Sequence, residues 1–265
     1  MTINGAPTLF AVRGLAKRYY GLTAVDDLSF EVPRGAIVGL IGPNGSGKST
    51  TIDCVSGFQA PDRGRWFLDG AELTGRKPHQ HASAGIARTF QTVRAYDQLS
   101  LIDNLLVAAQ THDGFGWGAA LRGSRFLHGA EAKAAERAAE LLHTIGLSDY
   151  GDSPGGILSY GQRKLLAIAA TMMTRPKLVM LDEPVAGVNP TMILRIEAVI
   201  RQLNAAGVAF LIVEHNIEFI MGLSGTVVVM AEGRKIAEGS PAVIRHDPIV
   251  LAAYLGADPD LRADG

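Results

Sequence analysis

Gly42-Pro43-Asn44-Gly45-Ser46-Gly47-Lys48-Ser49 packs three glycines and a lysine into eight residues. It fits the pattern G-x-x-x-x-G-K-[ST]. The apolar run Ala36–Leu40 before it reads as a strand, Ile41 leads into the turn, and a helix is expected to start near Lys48. Strand, glycine-rich turn and helix are the context this pattern needs. Glycine lets the backbone wrap closely around phosphate oxygens with its N–H groups turned inward. The helix start adds free donors and a favourable dipole for an anion. Gly42, Pro43, Asn44, Gly45, Ser46, Gly47, Lys48, Ser49 and Thr50 are therefore the expected nucleotide cradle. Lys48 neutralises the β and γ phosphates there, and Ser49 offers an oxygen to Mg²⁺.

A second signal is Leu178-Val179-Met180-Leu181-Asp182-Glu183, an apolar strand ending in two adjacent acids. Two carboxylates at the end of a buried strand are costly unless they have a task. Asp182 is the expected Mg²⁺ acid, acting through water. Glu183 is then placed to polarise an attacking water as general base. Together the two motifs point to ATP or GTP chemistry without fixing its biological use.

Working outward, Leu9–Val12, Leu28–Val32 and Trp66–Leu68 read as strands, punctuated by Gly21, Pro33-Arg34-Gly35 and Pro61-Asp62-Arg63-Gly64. From Leu99 to Leu147 the pattern turns helical, with candidates Leu101–Gln110 and Glu131–Ile145. Thr111–Gly129 between them reads as a glycine-rich loop, with Phe115, Trp117 and Phe126 pinning it to its own helices. Val208–Val213 and Val227–Met230 are further buried strands, alternating with helices Met192–Asn204 and Ile217–Leu223. That rhythm belongs to a parallel sheet with covered faces. Ser240-Pro241 is expected to open a short terminal helix, with serine as its cap.

The chain has 265 residues, 47% hydrophobic and 19% charged, with a formal net charge of −1. No overall field draws it to nucleic acid or to an anionic membrane. The one cysteine, Cys54, lies on an apolar helix face and is expected to be buried packing, as suits a reducing cytosol. No signal peptide is read at the N-terminus, and no run approaches the ~20 apolar residues of a membrane span.

Leu158-Ser159-Tyr160-Gly161-Gln162, just upstream of the acidic strand, resembles the L-S-G-G-Q signature of the ABC ATPases, with tyrosine at the third position. Gln91 resembles that family's Q-loop glutamine, His215 its switch histidine and Ala186-Gly187-Val188-Asn189 its D-loop. Tyr19, shortly before the first hairpin, stands where the family stacks an aromatic on adenine, and Tyr20 is the next candidate. Each match alone is weak, since a single histidine after a strand is ordinarily structural. In this order around a phosphate loop they reinforce one another across Leu9 to Leu255.

The resemblance implies an α/β fold: a P-loop, RecA-like core with an N-terminal antiparallel β region and an inserted helical subdomain. As one ABC ATPase domain over 1–265, its expected subregions are core and β region at 8–91 and 172–240, a helical subdomain at 92–171 and a C-terminal helical extension at 241–265. It also implies head-to-tail pairing with a second ATPase subunit, identical or paralogous. The phosphate loop of one then faces Ser159, Gly161 and Gln162 of the other across ATP. Gln91 senses Mg²⁺ and the γ-phosphate, and the side chain of Tyr160 must point away from the phosphate.

Gly85–Gln91, the Leu158–Gln162 signature, Leu181–Pro190 and Ala253-Tyr254-Leu255-Gly256 look like one branch, the branched-chain (Liv-type) amino-acid importer ATPases. That branch implies two transmembrane permeases, a periplasmic or lipid-anchored solute-binding protein, no nucleic acid, and a place on the cytoplasmic side of the bacterial inner membrane. Related ATPases serve urea, amides or lipopolysaccharide export. Asn189, Asn216 and Ser224-Gly225-Thr226 depart from the usual pattern, and the last is expected to loosen a structural contact. A GTPase would need an Asn-Lys-x-Asp guanine motif, which is not found. A non-transport ABC protein would carry two cassettes or a long insertion, and a dead scaffold would lack Lys48, Asp182, Glu183 or His215.

Overall fold

The computed structural model describes residues 2–3, 6–89, 95–109 and 124–255, with the side chains of 2, 3, 6, 124–130 and 255 excluded. Its strands, in chain order, are β1 (Thr2–Ile3), β2 (Ala6–Tyr19), β3 (Leu22–Pro33), β4 (Ile37–Ile41), β5 (Arg63–Leu68), β6 (Ala71–Glu72), β7 (Ile86–Arg88), β8 (Leu178–Asp182), β9 (Ala209–Val213), β10 (Thr226–Ala231) and β11 (Arg234–Gly239). The helices are α1 (Lys48–Val55), α2 (Pro78–Ala84), α3 (Leu101–Ala109), α4 (Ser124–Ile145), α5 (Tyr160–Met172), α6 (Pro190–Ala205), α7 (Ile217–Leu223), α8 (Pro241–Ile244) and α9 (Pro248–Leu255).

The central sheet runs β11-β10-β4-β9-β8-β7. Every pairing from β10 through β7 is parallel, and β11 closes one edge antiparallel. The apolar runs are continuous because both faces are covered. In β8, Leu178 and Met180 enter one core while Val179 and Leu181 enter the other. Val228 and Met230 of β10 likewise oppose Val227 and Val229. One core packs the sheet against α3 to α7, and the other packs it against α1 and the antiparallel sheet. In that second sheet β2 pairs with β3 and β5. The expected fold is thereby observed.

The differences have local causes. The β2–β3 hairpin far exceeds the expected Leu9–Val12 and Leu28–Val32 segments. Register shifts between Val12 and Leu15 and between Leu15 and Lys17 break the alternation that would have revealed it. The hairpin turns at Tyr20-Gly21, both left-handed with φ 47° and 95°, so Tyr19 sits at its tip and not before it. Helix α4 begins at Ser124, inside the expected loop, because its first turns are too polar and glycine-containing for an apolar stripe to show. Phe115 and Trp117 lie outside the described residues, and so does the side chain of Phe126. Strand β11 was missed because an edge strand with no fully buried residue has no apolar run.

At the C-terminus two short helices replace the single expected one. Ser240 is the cap residue of α8 but its side chain makes no capping bond. Asp247 does cap α9, accepting from the N–H of Ile249 at 2.8 Å. Asn189 and Asn216 cap α6 and α7 through side-chain oxygens, at 2.9 and 3.0 Å. Asparagine and aspartate serve that position equally, so these departures are neutral. At the Ser224-Gly225-Thr226 departure the backbone pairing is kept, with Gly225 N–H donating to Ile37 O at 3.0 Å and Thr226 in register with Val38, while the Ser224 hydroxyl is buried without a hydrogen-bond partner. Cys54 is fully buried and burial pushes its thiol up to about 11, which leaves it inert.

Candidate active site

Strand β4 delivers the chain into the phosphate loop and α1 carries it away. The loop's glycines are sterically required. A Cβ on Gly42 would lie 2.1 Å from Met230 O, and one on Gly47 would lie 2.3 Å from Ala24 O. Lys48 is buried and folds back over the loop, donating to Gly42 O at 2.7 Å and Pro43 O at 3.0 Å. Burial pulls its pKa down, while Glu183 and Asp182 pull it up. An ammonium buried among carbonyl oxygens, with two acids near, is a cation prepared for a stronger anion. Ser49 and Thr50 follow on the first turn of α1, Ser49 exposed. Tyr19, at the hairpin tip, is exposed. The Lys17 ammonium lies 5.1 Å from its ring centroid.

Asp182 ends β8 in the same cleft. Burial raises its pKa, and Arg88 opposes the rise. Arg88 is a residue that the sequence reading passed over. One of its terminal nitrogens meets Asp182 Oδ2 at 3.0 Å, and the other meets Asp53 Oδ1 at 2.7 Å and Ser56 Oγ at 2.9 Å. Its signal in sequence is only its place three residues before Gln91. Gln91 itself lies outside the described residues. Among the described residues there is no cluster of three or more metal-binding side chains. The donors present, the carboxylate of Asp182 and the hydroxyl of Ser49, are hard oxygens. They suit Mg²⁺, which is held by few protein ligands and completed by substrate phosphates.

Glu183 follows in the left-handed region at φ 49°, a strained conformation for a side-chain-bearing residue. Its carboxylate lies 3.9 Å from Nδ1 of His215, which β9 delivers from the next strand and which is exposed. The residue between β9 and His215 is decisive for this geometry. Glu214 is fully buried, and its carboxylate accepts from the N–H groups of Val185 at 2.9 Å, His215 at 2.9 Å and Asn216 at 3.1 Å. It clamps the turn after Glu183 to the turn bearing His215. Glu214→Ala would strand three donors and is expected to cost about 3 kcal/mol, lowering Tm by about 6–12 °C. Thermal melts of the two proteins check this, with Glu214→Gln falling between them.

The signature segment opens α5. Ser159 is the cap residue; its Oγ accepts from Gln162 N at 3.4 Å, and Gln162 Oε1 accepts from Ser159 N at 3.0 Å. Gln162 thus turns back on the backbone. A Cβ on Gly161 would lie 2.5 Å from Met192 Cγ, so glycine is needed where α5 meets α6. Tyr160 is half-exposed, its ring over Lys164.

The model of the ABC transporter family matches residues 25–186. The chain belongs to the ABC transporter ATPases. A second model, of the branched-chain amino acid ATP-binding cassette transporter, matches residues 234–260. Among curated relatives, the high-affinity branched-chain amino acid transport ATP-binding protein BraF of Pseudomonas aeruginosa is 39% identical, over 94% of this chain and 98% of that one. The lipopolysaccharide export system ATP-binding protein LptB of Acidithiobacillus ferridurans is 34% identical, over 94% of this chain and 97% of that protein. Among solved structures, the ADP conformation of MJ1267, an ATP-binding cassette of an ABC transporter, has a TM-score of 0.81 and 32% identity, covering 95% of this chain and 100% of that one. This ABC ATPase is therefore an ATP-binding, ATP-hydrolysing subunit of a transporter. Among its described residues no helix is long and apolar enough to cross a membrane.

Proposed function

We propose that this ATPase drives uptake of branched-chain or other hydrophobic amino acids. The observation that carries the reading is the match of its C-terminal segment, residues 234–260, to the branched-chain cassette model. Strand β11 and helices α8 and α9 occupy that segment, and Tyr254 of α9 packs against the core on that face of the central sheet. The resemblance to BraF over nearly the whole chain supports the same solute class.

In this reading Tyr19 stacks on adenine, while Lys48 and the loop N–H groups bind the β and γ phosphates. Ser49, Asp182 and Gln91 hold Mg²⁺, which supplies positive charge to the phosphates when bound. Glu183 takes a proton from the attacking water, and His215 donates to the γ-phosphate. Ser159 and Gly161 face the ATP of a second subunit, identical or paralogous, so hydrolysis releases the pair. The segment 92–171 contacts two permeases at the cytoplasmic face of the bacterial inner membrane, and a solute-binding protein delivers the amino acid outside.

The test is transport. The ATPase, co-purified with its permeases and placed in proteoliposomes with ATP inside, is expected to accumulate leucine delivered by the binding protein. Accumulation of urea or an amide with no leucine uptake would overturn the solute class while leaving the ATPase assignment standing.

A further inference from the structure

Lys164 is 4% exposed, on the core-facing side of α5. A buried ammonium is expensive unless its hydrogen bonds are made and matter. Its Nζ donates at 2.8 Å to the backbone carbonyl of Glu183. That carbonyl belongs to the strained residue with φ 49°, whose own N–H donates to Val213 O at 2.9 Å. Lys164 therefore fixes one peptide plane and the β9 carbonyl fixes the other. Together they hold Glu183 in a conformation that a side-chain-bearing residue adopts only under strain.

The same ammonium faces the Tyr160 ring. Lys164 Nζ lies 5.5 Å from its centroid, and its Cε1 would stand 3.5 Å from a Cβ on Gly187. The departure from the family's glycine thus places an aromatic between the start of the signature helix and the turn after Glu183. Ser159 and Gly161 flank Tyr160, and in the head-to-tail pair they serve the partner's ATP, whereas Glu183 serves its own.

We propose that Lys164 is a positioning residue for Glu183, and that it ties the Glu183 turn of one nucleotide site to the signature segment that completes the other. The inference rests on the reading of Glu183 as general base. Engagement of the partner's ATP by residues 159–161 moves α5, α5 carries Nζ, and Nζ sets the Glu183 peptide. The two sites then fire in a coupled manner without a direct contact between the nucleotides.

The full chain carrying Lys164→Met or Lys164→Arg tests this at saturating Mg-ATP. Lys164→Met is expected to lower kcat at least tenfold with affinity for a fluorescent ATP analogue within twofold of the parent. Lys164→Arg, which keeps a cationic donor, is expected to recover most of the rate. In a Glu183→Gln background, Lys164→Met should add no further loss, because a positioning residue acts only through the group it positions. Turnover within twofold of the parent, or kcat and affinity falling together, would overturn the proposal. If Lys164→Met does not fold, Lys164→Gln is read by the same criteria. Parent-like hydrolysis by Glu183→Gln alone would instead remove the general-base reading, an outcome separate from inert Lys164 variants beside a dead Glu183→Gln.

Discussion

Glu183→Gln is expected to keep ATP binding and to lose hydrolysis by ~10²–10⁴-fold, the usual contribution of a single general base. The amide keeps the shape and hydrogen-bonding capacity of the side chain but cannot take a proton from water. The backbone bonds that hold the residue, Glu183 N to Val213 O and Lys164 Nζ to Glu183 O, do not involve the carboxylate and survive the change. Lys48 and Asp182 also remain, so the variant is expected to accumulate as an ATP-bound closed dimer. Sizing with and without Mg-ATP, alongside phosphate release, checks both halves. Parent-rate hydrolysis would transfer the base role to His215, the nearest substitute at 3.9 Å from the Glu183 carboxylate.

Lys48→Ala is expected to weaken ATP binding at least 100-fold, the equivalent of about 2.8 kcal/mol. Lys48 is the cation that the loop encloses, and a charged hydrogen bond to phosphate replaces its present bonds to Gly42 O and Pro43 O. The same change should leave the nucleotide-free protein no less stable. The folded-state pKa of Lys48 lies below its ordinary value, chiefly through burial, so the charged form is less favourable in the folded protein than in the unfolded chain. That penalty is full below the folded-state pKa and fades as the pH rises through it. Alanine removes it. Equilibrium binding of a fluorescent nucleotide, together with an unchanged apo Tm, distinguishes lost ligand contact from lost fold.

The sequence was legible where a motif and a periodicity coincided. Lys48 sits between a run of five buried residues and a helix, and Asp182 ends another such run. Both were placed because period, turn chemistry and charge agree there. The hairpin from Ala6 to Pro33 was cut short because its bulges put Leu15 and Ala16 side by side in the interior, which no two-residue period predicts. Arg88, Lys164 and Glu214 escaped for a different reason. Each matters through partners distant in sequence: Arg88 lies 94 residues from Asp182, Glu214 lies 29 from Val185, and Lys164 lies 19 from Glu183. A charged residue beside an apolar run reads as surface until the fold shows what it meets.

The phosphate loop, the acidic pair and His215 leave β4, β8 and β9 at the same end, and these strands lie hydrogen-bonded side by side with both faces covered. Deuterium exchange would separate two classes of amide. Those of the three strands become exchangeable only when the whole core opens, whereas those of the turns beyond them exchange through local opening. The reacting groups thus stand on turns that can open locally, while the ladder that carries them opens only with the whole core.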